Sequence, residues 1–318
     1  MKEIDTKYGV LSDISFAEFY ANGNLRGVIV SSPQTLNSEY GRLIPQYEND
    51  GVRRKFIDSV TFYENGNLKS VSLQHQIEIA TSLGPIPVEK IIFYENGKLK
   101  RIFPLNGKIT GFWSEANEYA LAEPITFNFP FGGFKCKVIG IFFYETGTVK
   151  SITLWPQETV DLQTEAGIIP VRGGFSLYSD GKLASVELLK PTRVVTPIGG
   201  INAYNVNAIG VVADRNSLSF TAEGQVNGIV TSTDRITVVD AEGRSQIFQP
   251  QTKPSLLFEG KLDILPLQID FAENKVCFGT DKGRLAEFQL DRITVSIENL
   301  PLKISSACAE CAACGSCD

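Results

Sequence analysis

The stretch Phe62-Tyr63-Glu64-Asn65-Gly66-Asn67-Leu68-Lys69 decides the fold, because it returns as Phe93-Tyr94-Glu95-Asn96-Gly97-Lys98-Leu99-Lys100. Asn-Gly or Asp-Gly between apolar runs is the strongest short-range signal of a two-residue hairpin turn, since type I′ geometry needs positive φ at both central residues. The chain is therefore predicted to be an array of β-hairpins. Weaker copies are centred on Gly23, Gly147, Gly181 and Gly224. Consecutive copies in the whole series are 31 to 50 residues apart, which indicates connections of variable length.

A two-residue turn at Asn65-Gly66 predicts a strand register that needs no bulge. Val60 then faces Val71, and Tyr63 faces Leu68. Because side chains alternate between the two faces of a strand, these two pairs lie on opposite faces of the sheet. The same arithmetic pairs Ile91 with Ile102, Ile141 with Ile152, Phe175 with Val186, Leu218 with Ile229, Thr221 with Val226 and Val238 with Ile247.

Thr146-Gly147 is an exception, since a β-branched residue is costly at positive φ, and a different turn is expected there.

A second shared element, Thr81-x-x-Gly84-x-Ile86-Pro87-Val88, returns as Thr164-x-x-Gly167-x-Ile169-Pro170-Val171. We interpret this element as the turn at the opposite end of the strands. The apolar series between the two kinds of turn predicts one long strand from Asn67 to about Thr81.

The sequence pattern predicts β structure along the whole chain. β-Branched and aromatic residues dominate the apolar runs, and no window shows the three- and four-residue spacing of an amphipathic helix. We therefore predict an all-β fold with few helices: an elongated antiparallel meander of repeated β-hairpins, arranged as a curved single sheet or as two abutting sheets. Three segments are expected: residues 1–190 with the FYENG-type turns, residues 191–306 as a degenerate continuation, and residues 307–318 as a cysteine-rich tail.

Charge and hydropathy limit the partners. The formal charge is −6 and the pI is about 5.1, which argues against a nucleic-acid partner, because such partners usually demand a basic field. The start of the chain has no apolar leader, and no apolar run approaches the length of a membrane helix, about 20 residues. We expect a soluble, cytoplasmic protein with no membrane partner. Basic residues after the turns are interpreted as solvating charges that protect strand edges: Lys69, Lys98, Lys100, Arg101 and Lys150.

The hairpin consensus, apolar-x-Phe-Tyr-x-Asn-Gly-x-Leu-Lys around Gly66 and Gly97, resembles the MORN-variant repeat of bacterial repeat proteins, including those labelled YwqK-like antitoxins. The resemblance covers about ten residues of each copy. It implies a curved, single-layer antiparallel sheet that serves as a scaffold or binding surface, and it carries no catalytic residue. MORN-type repeats have a second Tyr/Phe-x-Gly element, which this chain replaces with Thr-x-x-Gly-x-Ile-Pro-Val.

The chain ends with four cysteines, each separated from the next by two residues: Cys308, Cys311, Cys314 and Cys317. Such spacing lets neighbouring thiolates converge on one soft metal, which suits zinc, copper(I) or an iron–sulfur cluster. The run departs from the bacterial ferredoxin pattern in its last gap and lacks the proline. Three interpretations stay open: a metal or cluster site, a redox or modified thiol segment, and a tail with no site. Cys136 and Cys277 are predicted to be buried apolar residues.

Signals of catalysis are sparse. His75 is the only histidine, so neither a serine-type triad nor a three-histidine metal site can form within one chain. Strand parity places His75 on an apolar face, where a structural role is favoured. Neither a phosphate-binding glycine motif nor a nucleophile elbow is present. A carboxylate pair acting across strands, as in glycosidases, stays open, because spatial separation is invisible in a sequence.

One tyrosine precedes each of five turns: Tyr20, Tyr63, Tyr94, Tyr144 and Tyr178. Pairing of each ring with the Leu or Val five residues later would stabilise the sheet by about 0.2–1 kcal/mol per pair. On a single-layered sheet the same rings would instead form an exposed ladder able to bind a partner or a glycan, since tyrosine combines apolar area with a polar group.

Together these features predict a non-enzymatic β-repeat scaffold or protein-interaction module with a C-terminal thiolate metal site and another protein as its partner. One alternative is a metal-binding or redox protein that acts through the cysteine tail. Another is a carbohydrate-active enzyme or glycan-binding protein that uses cross-strand carboxylates and tyrosines.

Overall fold

The computed structural model describes residues 3–55, 57–164, 167–208, 216–255, 260 and 262–300. Strands account for about 59% of the described residues and helices for about 4%, so the predicted all-β class is confirmed. The largest sheet of the described residues is antiparallel and has 16 strands, as expected for a meander of hairpins. The predicted cysteine-rich tail lies outside the described residues.

Two compact units divide the described residues. The first contains residues up to 163 and residues 171–183, and its main strands follow the order β3-β4-β7-β8-β9-β10-β13-β14-β16. The strands up to residue 177 are β1 (Ile4–Thr6), β2 (Gly9–Leu11), β3 (Ile14–Phe19), β4 (Leu25–Val30), β5 (Leu36–Ser38), β6 (Gly41–Leu43), β7 (Val60–Phe62), β8 (Leu68–Thr81), β9 (Gly84–Phe93), β10 (Leu99–Phe103), β11 (Ile125–Phe129), β12 (Gly132–Cys136), β13 (Val138–Phe143), β14 (Val149–Leu154), β15 (Thr159–Thr164) and β16 (Gly167–Leu177).

The second unit contains most of the described residues from 184 onward, together with Thr164 and residues 167–170. Its main strands follow the order β17-β20-β21-β26-β27-β28. Of the described helices, α1 (Glu115–Leu121) belongs to the first unit and a 3₁₀ turn (Leu290–Arg292) belongs to the second. The remaining strands are β17 (Leu183–Leu188), β18 (Thr192–Thr196), β19 (Gly199–Ala203), β20 (Leu218–Phe220), β21 (Val226–Thr231), β22 (Asp234–Asp240), β23 (Ser245–Phe248), β24 (Gln251–Pro254), β25 (Leu262–Leu265), β26 (Leu267–Ala272), β27 (Lys275–Thr280), β28 (Gly283–Gln289) and β29 (Ile293–Asn299).

The hairpin turns differ from the predicted two-residue turn. The Gly66 N–H donates to the Tyr63 carbonyl at 2.9 Å, and the Tyr63 N–H donates to the Asn67 carbonyl at 2.8 Å, which leaves a three-residue loop. Gly66 has φ +80°, but Asn65 is not at positive φ. Type I′ geometry is therefore excluded, and a type I turn followed by a left-handed glycine remains. The same pair of bonds recurs at Gly23, Gly97, Gly147, Gly181, Gly224 and Gly243.

The register prediction without a bulge is wrong near the turn. Val60 pairs with Val71 as predicted, but the register then shifts, and Phe62 rather than Tyr63 faces Leu68. The extra residue of a G1 bulge causes the shift. It moves Leu68 onto the core face, where Phe62 and Leu68 are each 2% exposed. The predicted Tyr–Leu and Tyr–Val pairs are wrong elsewhere too, because Phe19 faces Leu25, Phe93 faces Leu99 and Phe143 faces Val149.

Asn65 serves in the loop as a hydrogen-bond acceptor. Its Oδ1 accepts from the Asn67 N–H at 2.9 Å, and Asp180 Oδ1 accepts from the Lys182 N–H at 3.1 Å in the same way. Because this position needs no positive φ, a β-branched residue fits it. Thr146 therefore lies in the same turn as the other copies, and the predicted exception is wrong.

One apolar row crosses the main strands of the first unit. Its members are cross-strand neighbours and are at most 1% exposed: Val28, Val60, Val71, Ile91, Ile102, Ile141, Ile152 and Phe175. Burial of a side chain of this size stabilises a fold by about 1.5–3 kcal/mol. The predicted pairs Ile91–Ile102 and Ile141–Ile152 are confirmed, since they lie beyond the bulges.

The Thr-x-x-Gly element forms the turn at the other end of the strands, as predicted. Thr81 pairs with Gly84, and the Thr81 hydroxyl donates to the Gly84 carbonyl at 2.8 Å. The predicted long strand is confirmed as β8, but its pairing is irregular between Ser72 and Ile77. His75 lies in that irregular stretch and is exposed, so its predicted place on an apolar face is wrong. Equivalent hydroxyl bonds join Thr6 to Gly9, Ser38 to Gly41, Thr164 to Gly167 and Thr196 to Gly199.

The tips of these second hairpins lie against the Asn-Gly turns of the first unit. Lys7 Nζ donates to the Asn65 carbonyl at 2.8 Å, and the Leu68 N–H donates to the Tyr8 hydroxyl at 3.2 Å. The Leu99 N–H donates to the Tyr40 hydroxyl at 3.1 Å in the same manner, and the Ser82 hydroxyl donates to the Gly147 carbonyl at 2.8 Å. Each tip therefore closes over a turn that comes later in the sequence.

The second unit has an apolar row of its own. Leu218 pairs with Ile229 as predicted, and Ile269 and Phe278 continue the row. These four residues are at most 2% exposed. Two predicted pairs are wrong for the reason given above, since Val226 faces Phe220 rather than Thr221, and Val238 faces Gln246 rather than Ile247.

Candidate interaction surface

The five tyrosines lie at the first position of the Asn-Gly-type turns and are half-buried. Four of their hydroxyls donate to the backbone carbonyl immediately before the next tyrosine in the series. The distances are 2.9 Å from Tyr20 to Phe62, and 2.8 Å from Tyr63 to Phe93, from Tyr94 to Phe143 and from Tyr144 to Leu177. The hydroxyls therefore link consecutive repeats, and the ring surfaces are what the series can offer a partner.

A lysine lies over the ring of each central tyrosine. Lys69 Nζ is 5.7 Å from the ring centroid of Tyr63, Lys100 Nζ is 5.4 Å from that of Tyr94, and Lys150 Nζ is 5.6 Å from that of Tyr144. Ammonium groups within about 6 Å of a ring are attracted by its quadrupole. We call this surface the Tyr–Lys stripe; its members are Tyr63, Lys69, Tyr94, Lys100, Tyr144 and Lys150.

Phe142 adds a further ring beside the stripe. Arg101 faces Phe142 across the strands, and its guanidinium carbon is 4.6 Å from the ring centroid. Lys150 Nζ is also 4.6 Å from that centroid, and the Tyr94 ring is stacked at a centroid distance of 6.5 Å. Aromatic and cationic groups thus concentrate between Tyr94 and Tyr144.

The rings of the stripe are evenly spaced in the sheet, although the tyrosines are unevenly spaced in the sequence. Tyr63, Tyr94 and Tyr144 follow β7, β9 and β13, which are two strands apart in the sheet order. Adjacent strands lie about 4.8 Å apart, so the rings repeat at about 10 Å. The number of residues between consecutive tyrosines varies because the hairpins that lie between them in the sequence differ in length, but the spacing in the sheet stays the same.

Burial fixes the protonation of the stripe. It raises the pKa of Tyr63, and Glu95 and Tyr20 add to the increase. Burial likewise raises the pKa of Tyr144, with a further contribution from Tyr178 and Asp180. Both phenols therefore stay protonated at neutral pH and keep donating to the carbonyls of the next repeat.

The sequence identified the tyrosines but not their cations or Phe142. It treated the lysines as solvating charges, and it placed Leu68, not a lysine, opposite Tyr63. The available signal was the basic residue that follows Leu68, Leu99 and Val149. The predicted register had no bulge, and the bulge at the turn is what brings that residue over the ring.

A buried ion-pair network holds two carboxylates, Glu89 on β9 and Glu118 on α1, so this pair does not act across strands. Arg53 contacts Glu89 at 2.6 Å and Glu118 at 2.8 Å. Glu118 also accepts from Trp113 Nε1 and the Gly107 N–H, both at 2.7 Å. Burial opposes ionisation of Glu118, but these bonds outweigh it and keep its pKa below the usual range. An acid held ionised in this way serves as an anchor for α1 and has no proton to donate at neutral pH.

The predicted metal ligands Cys308, Cys311, Cys314 and Cys317 lie outside the described residues. Within the described ranges, no group of three or more His, Cys, Asp or Glu residues could hold a metal ion. Cys136 and Cys277 are buried, as predicted, at 1% and 7% exposure. Burial raises the pKa of the Cys136 thiol to about 12, so this thiol stays protonated and unreactive at neutral pH.

No protein-family model matches the chain, and no curated protein or solved structure is significantly similar to it. The MORN-variant resemblance therefore stays a prediction that rests on the hairpin consensus. In the part of the chain that the structure describes, no helix combines the length and apolar character that a membrane span requires.

Proposed function

We propose that this chain is a cytoplasmic, non-enzymatic β-repeat scaffold that binds another protein through the Tyr–Lys stripe. The supporting observation is three half-buried rings at equal intervals, each under a lysine, in a chain of net charge −6. Hydroxyl bonds to the next repeat already fix the rings, so binding would cost little side-chain entropy. The resemblance to MORN-type scaffolds agrees with this role.

The chemistry of the stripe favours an acidic, extended segment of the partner. Lysine ammonium groups that repeat with the rings at about 10 Å match carboxylates on every third residue of a polyproline II segment, because this extended conformation has three residues per turn and rises about 3.1 Å per residue. The ring of Phe142 and its tyrosine neighbours would contact apolar side chains between those carboxylates. Such a segment would lie across the strands of the sheet.

A charge-reversal experiment tests the stripe. The triple variant Lys69→Glu, Lys100→Glu, Lys150→Glu is compared with wild type in affinity capture from cell extract, with quantitative mass spectrometry and a thermal-unfolding check. Proteins that wild type captures should fall at least about tenfold in the triple variant. The control carries the same change of net charge at Lys135, Lys253 and Lys282, which are exposed, and should capture as wild type does. Equal amounts of captured protein from wild type, the triple variant and the control would contradict the proposal.

A second function rests on the spacing of Cys308, Cys311, Cys314 and Cys317: binding of zinc or an iron–sulfur cluster. Elemental analysis and a visible spectrum of anaerobically purified protein test it, with a chain ending at Ser306 as the control. Metal near stoichiometry that is lost with the tail would support it, and charge-transfer bands would favour a cluster over zinc. Absence of metal from the full chain would remove this candidate.

A further inference from the structure

Among the described residues, β3 has a neighbouring strand on one side only. It pairs with β4 and is the terminal strand of the sheet order. Phe19, which precedes Tyr20, is 51% exposed, whereas the residues that precede the next three tyrosines, Phe62, Phe93 and Phe143, are at most 2% exposed. Phe16 is 56% exposed. The phenylalanine before the turn is therefore exposed to solvent in the first repeat and buried in the next three.

The backbone of β3 is also open at this edge. Phe19 has the same hairpin register as Phe62, with Phe19 opposite Leu25 and Phe62 opposite Leu68. The Phe62 carbonyl points toward the preceding hairpin, since it accepts from the Tyr20 hydroxyl. The Phe19 carbonyl points the same way relative to its own hairpin, toward a side where the described part of the chain has no further strand. Residues two apart on a strand share this direction, so Ala17 faces the same open side.

Natural edge strands are usually protected by lysine, proline or short length. β3 is six residues long, contains neither lysine nor proline, and its one charge, Glu18, is paired with Arg26 at 2.8 Å. Its own bulge lies at Ser15, between Ile14 and Phe16, and leaves the segment from Phe16 to Phe19 regular along β3. The terminal strand at the other end of the order, β28, is different: it carries Arg284 and Glu287, which form an ion pair. Protection by charge is thus found on β28 and not on β3.

We infer that two copies of this chain associate through β3, paired antiparallel about a two-fold axis. The strand offers the same donors, acceptors and exposed phenylalanines to its copy, so one contact satisfies both open edges, and two-fold dimers are the commonest closed assemblies. Antiparallel pairing is the arrangement that every main strand of the first unit already uses. β3 shares no residue with the Tyr–Lys stripe.

Charge selects the register of this pairing. Centring the axis on Glu18 would place two carboxylates directly opposite each other, which is destabilising. Centring it on Ala17 places Glu18 of one copy opposite Phe16 of the other, so the two carboxylates are diagonal neighbours and do not lie directly opposite each other. The open backbone groups of Ala17 then pair with those of the second Ala17. We therefore assign Ala17 to the axis.

Sedimentation velocity of the full chain over a wide concentration range tests the dimer. Wild type should dimerise, and the variant Phe16→Lys, Phe19→Lys should weaken the dimer at least about tenfold with an unchanged circular dichroism spectrum. The control Leu285→Lys changes a residue of β28 that is similarly exposed, at 54%, and should dimerise as wild type does. A wild-type chain that is monomeric throughout, or a dimer that persists unchanged in Phe16→Lys, Phe19→Lys, overturns the inference.

Cross-linking tests the register in a full chain whose four tail cysteines are changed to serine. Ala17→Cys should form an intermolecular disulfide on mild oxidation, because opposite Cα atoms in an antiparallel pair are about 5.5 Å apart, within disulfide reach. Ser15→Cys should not, since two copies of residue 15 would be displaced by four residues, about 13 Å. A disulfide with Ser15→Cys and none with Ala17→Cys would overturn the assigned register.

Discussion

Tyrosine at the first turn position combines three physical roles in one side chain. In Tyr94 the backbone N–H and carbonyl close the turn, the hydroxyl reaches the Phe143 carbonyl, and the ring lies under Lys100. The hydroxyl bond crosses from one hairpin to the next, so it couples repeats that are far apart in sequence. A phenylalanine at this place would keep the turn and the ring but would lose that link.

The substitution Tyr94→Phe is therefore predicted to destabilise the protein by about 1 kcal/mol, the usual net value of one hydrogen bond. Urea unfolding at neutral pH measures the change. Tyr47→Phe is the matched control, because among the described residues its hydroxyl makes no hydrogen bond, and its cost should be below about 0.5 kcal/mol. Equal costs for the two variants would show that the bond to Phe143 contributes nothing.

At the scale of the element, the three-residue turn decides which side chains are buried. Asn65-Gly66 correctly predicted a hairpin, but the dipeptide also suits a type I turn with a G1 bulge, where asparagine accepts a hydrogen bond at negative φ. The Thr146 copy was the signal in the sequence that favoured the second geometry. Because side chains alternate, the one-residue difference placed Phe62 rather than Tyr63 opposite Leu68 and put Leu68 on the core face.

The turn geometry predicts that glycine is needed at one position only. Gly147 has φ +87° and open space around its Cα, so Gly147→Ala should cost about 1–2 kcal/mol through backbone strain alone. Gly147→Asn should cost less, since asparagine tolerates the left-handed region. Gly111→Ala is the control, because Gly111 is exposed, has equally open space and is not at positive φ. Thermal and urea unfolding of the three variants would contradict this account if Gly147→Ala behaved as the control does.

At the scale of the whole molecule, periodicity predicted the class and the apolar rows, because both follow from local alternation of side chains. It did not predict what lies over the turns or inside the loops. The contact of Lys7 with Asn65 and that of Arg53 with Glu118 join residues about 60 positions apart, and no local pattern encodes such distances. The Tyr–Lys stripe falls between these cases, since its rings are periodic in sequence but its cations depend on the bulge.

Long-range contacts of this kind make stability depend on pH. The pKa of Glu118 is lower in the folded chain than in the unfolded chain, because hydrogen bonds from Arg53, Trp113 and Gly107 outweigh the effect of burial. Its stabilising contribution is therefore present above the unfolded pKa, about 4.3, and is lost as the pH falls through the lower folded value. Glu118→Gln should destabilise the protein by about 3 kcal/mol at pH 7, because it leaves Arg53 with one carboxylate fewer in a buried site.

Urea unfolding of wild type and Glu118→Gln at neutral pH and at about pH 3.5, below the unfolded pKa of glutamate, measures this dependence. The difference between the two proteins should shrink at the lower pH, because wild type then loses the contribution that the variant already lacks. Glu123→Gln is the control: Glu123 is exposed two residues beyond α1, and its substitution should change stability little at either pH. A difference for Glu118→Gln that stays constant with pH would mean that packing of the side chain, rather than its charge, anchors α1 to Arg53.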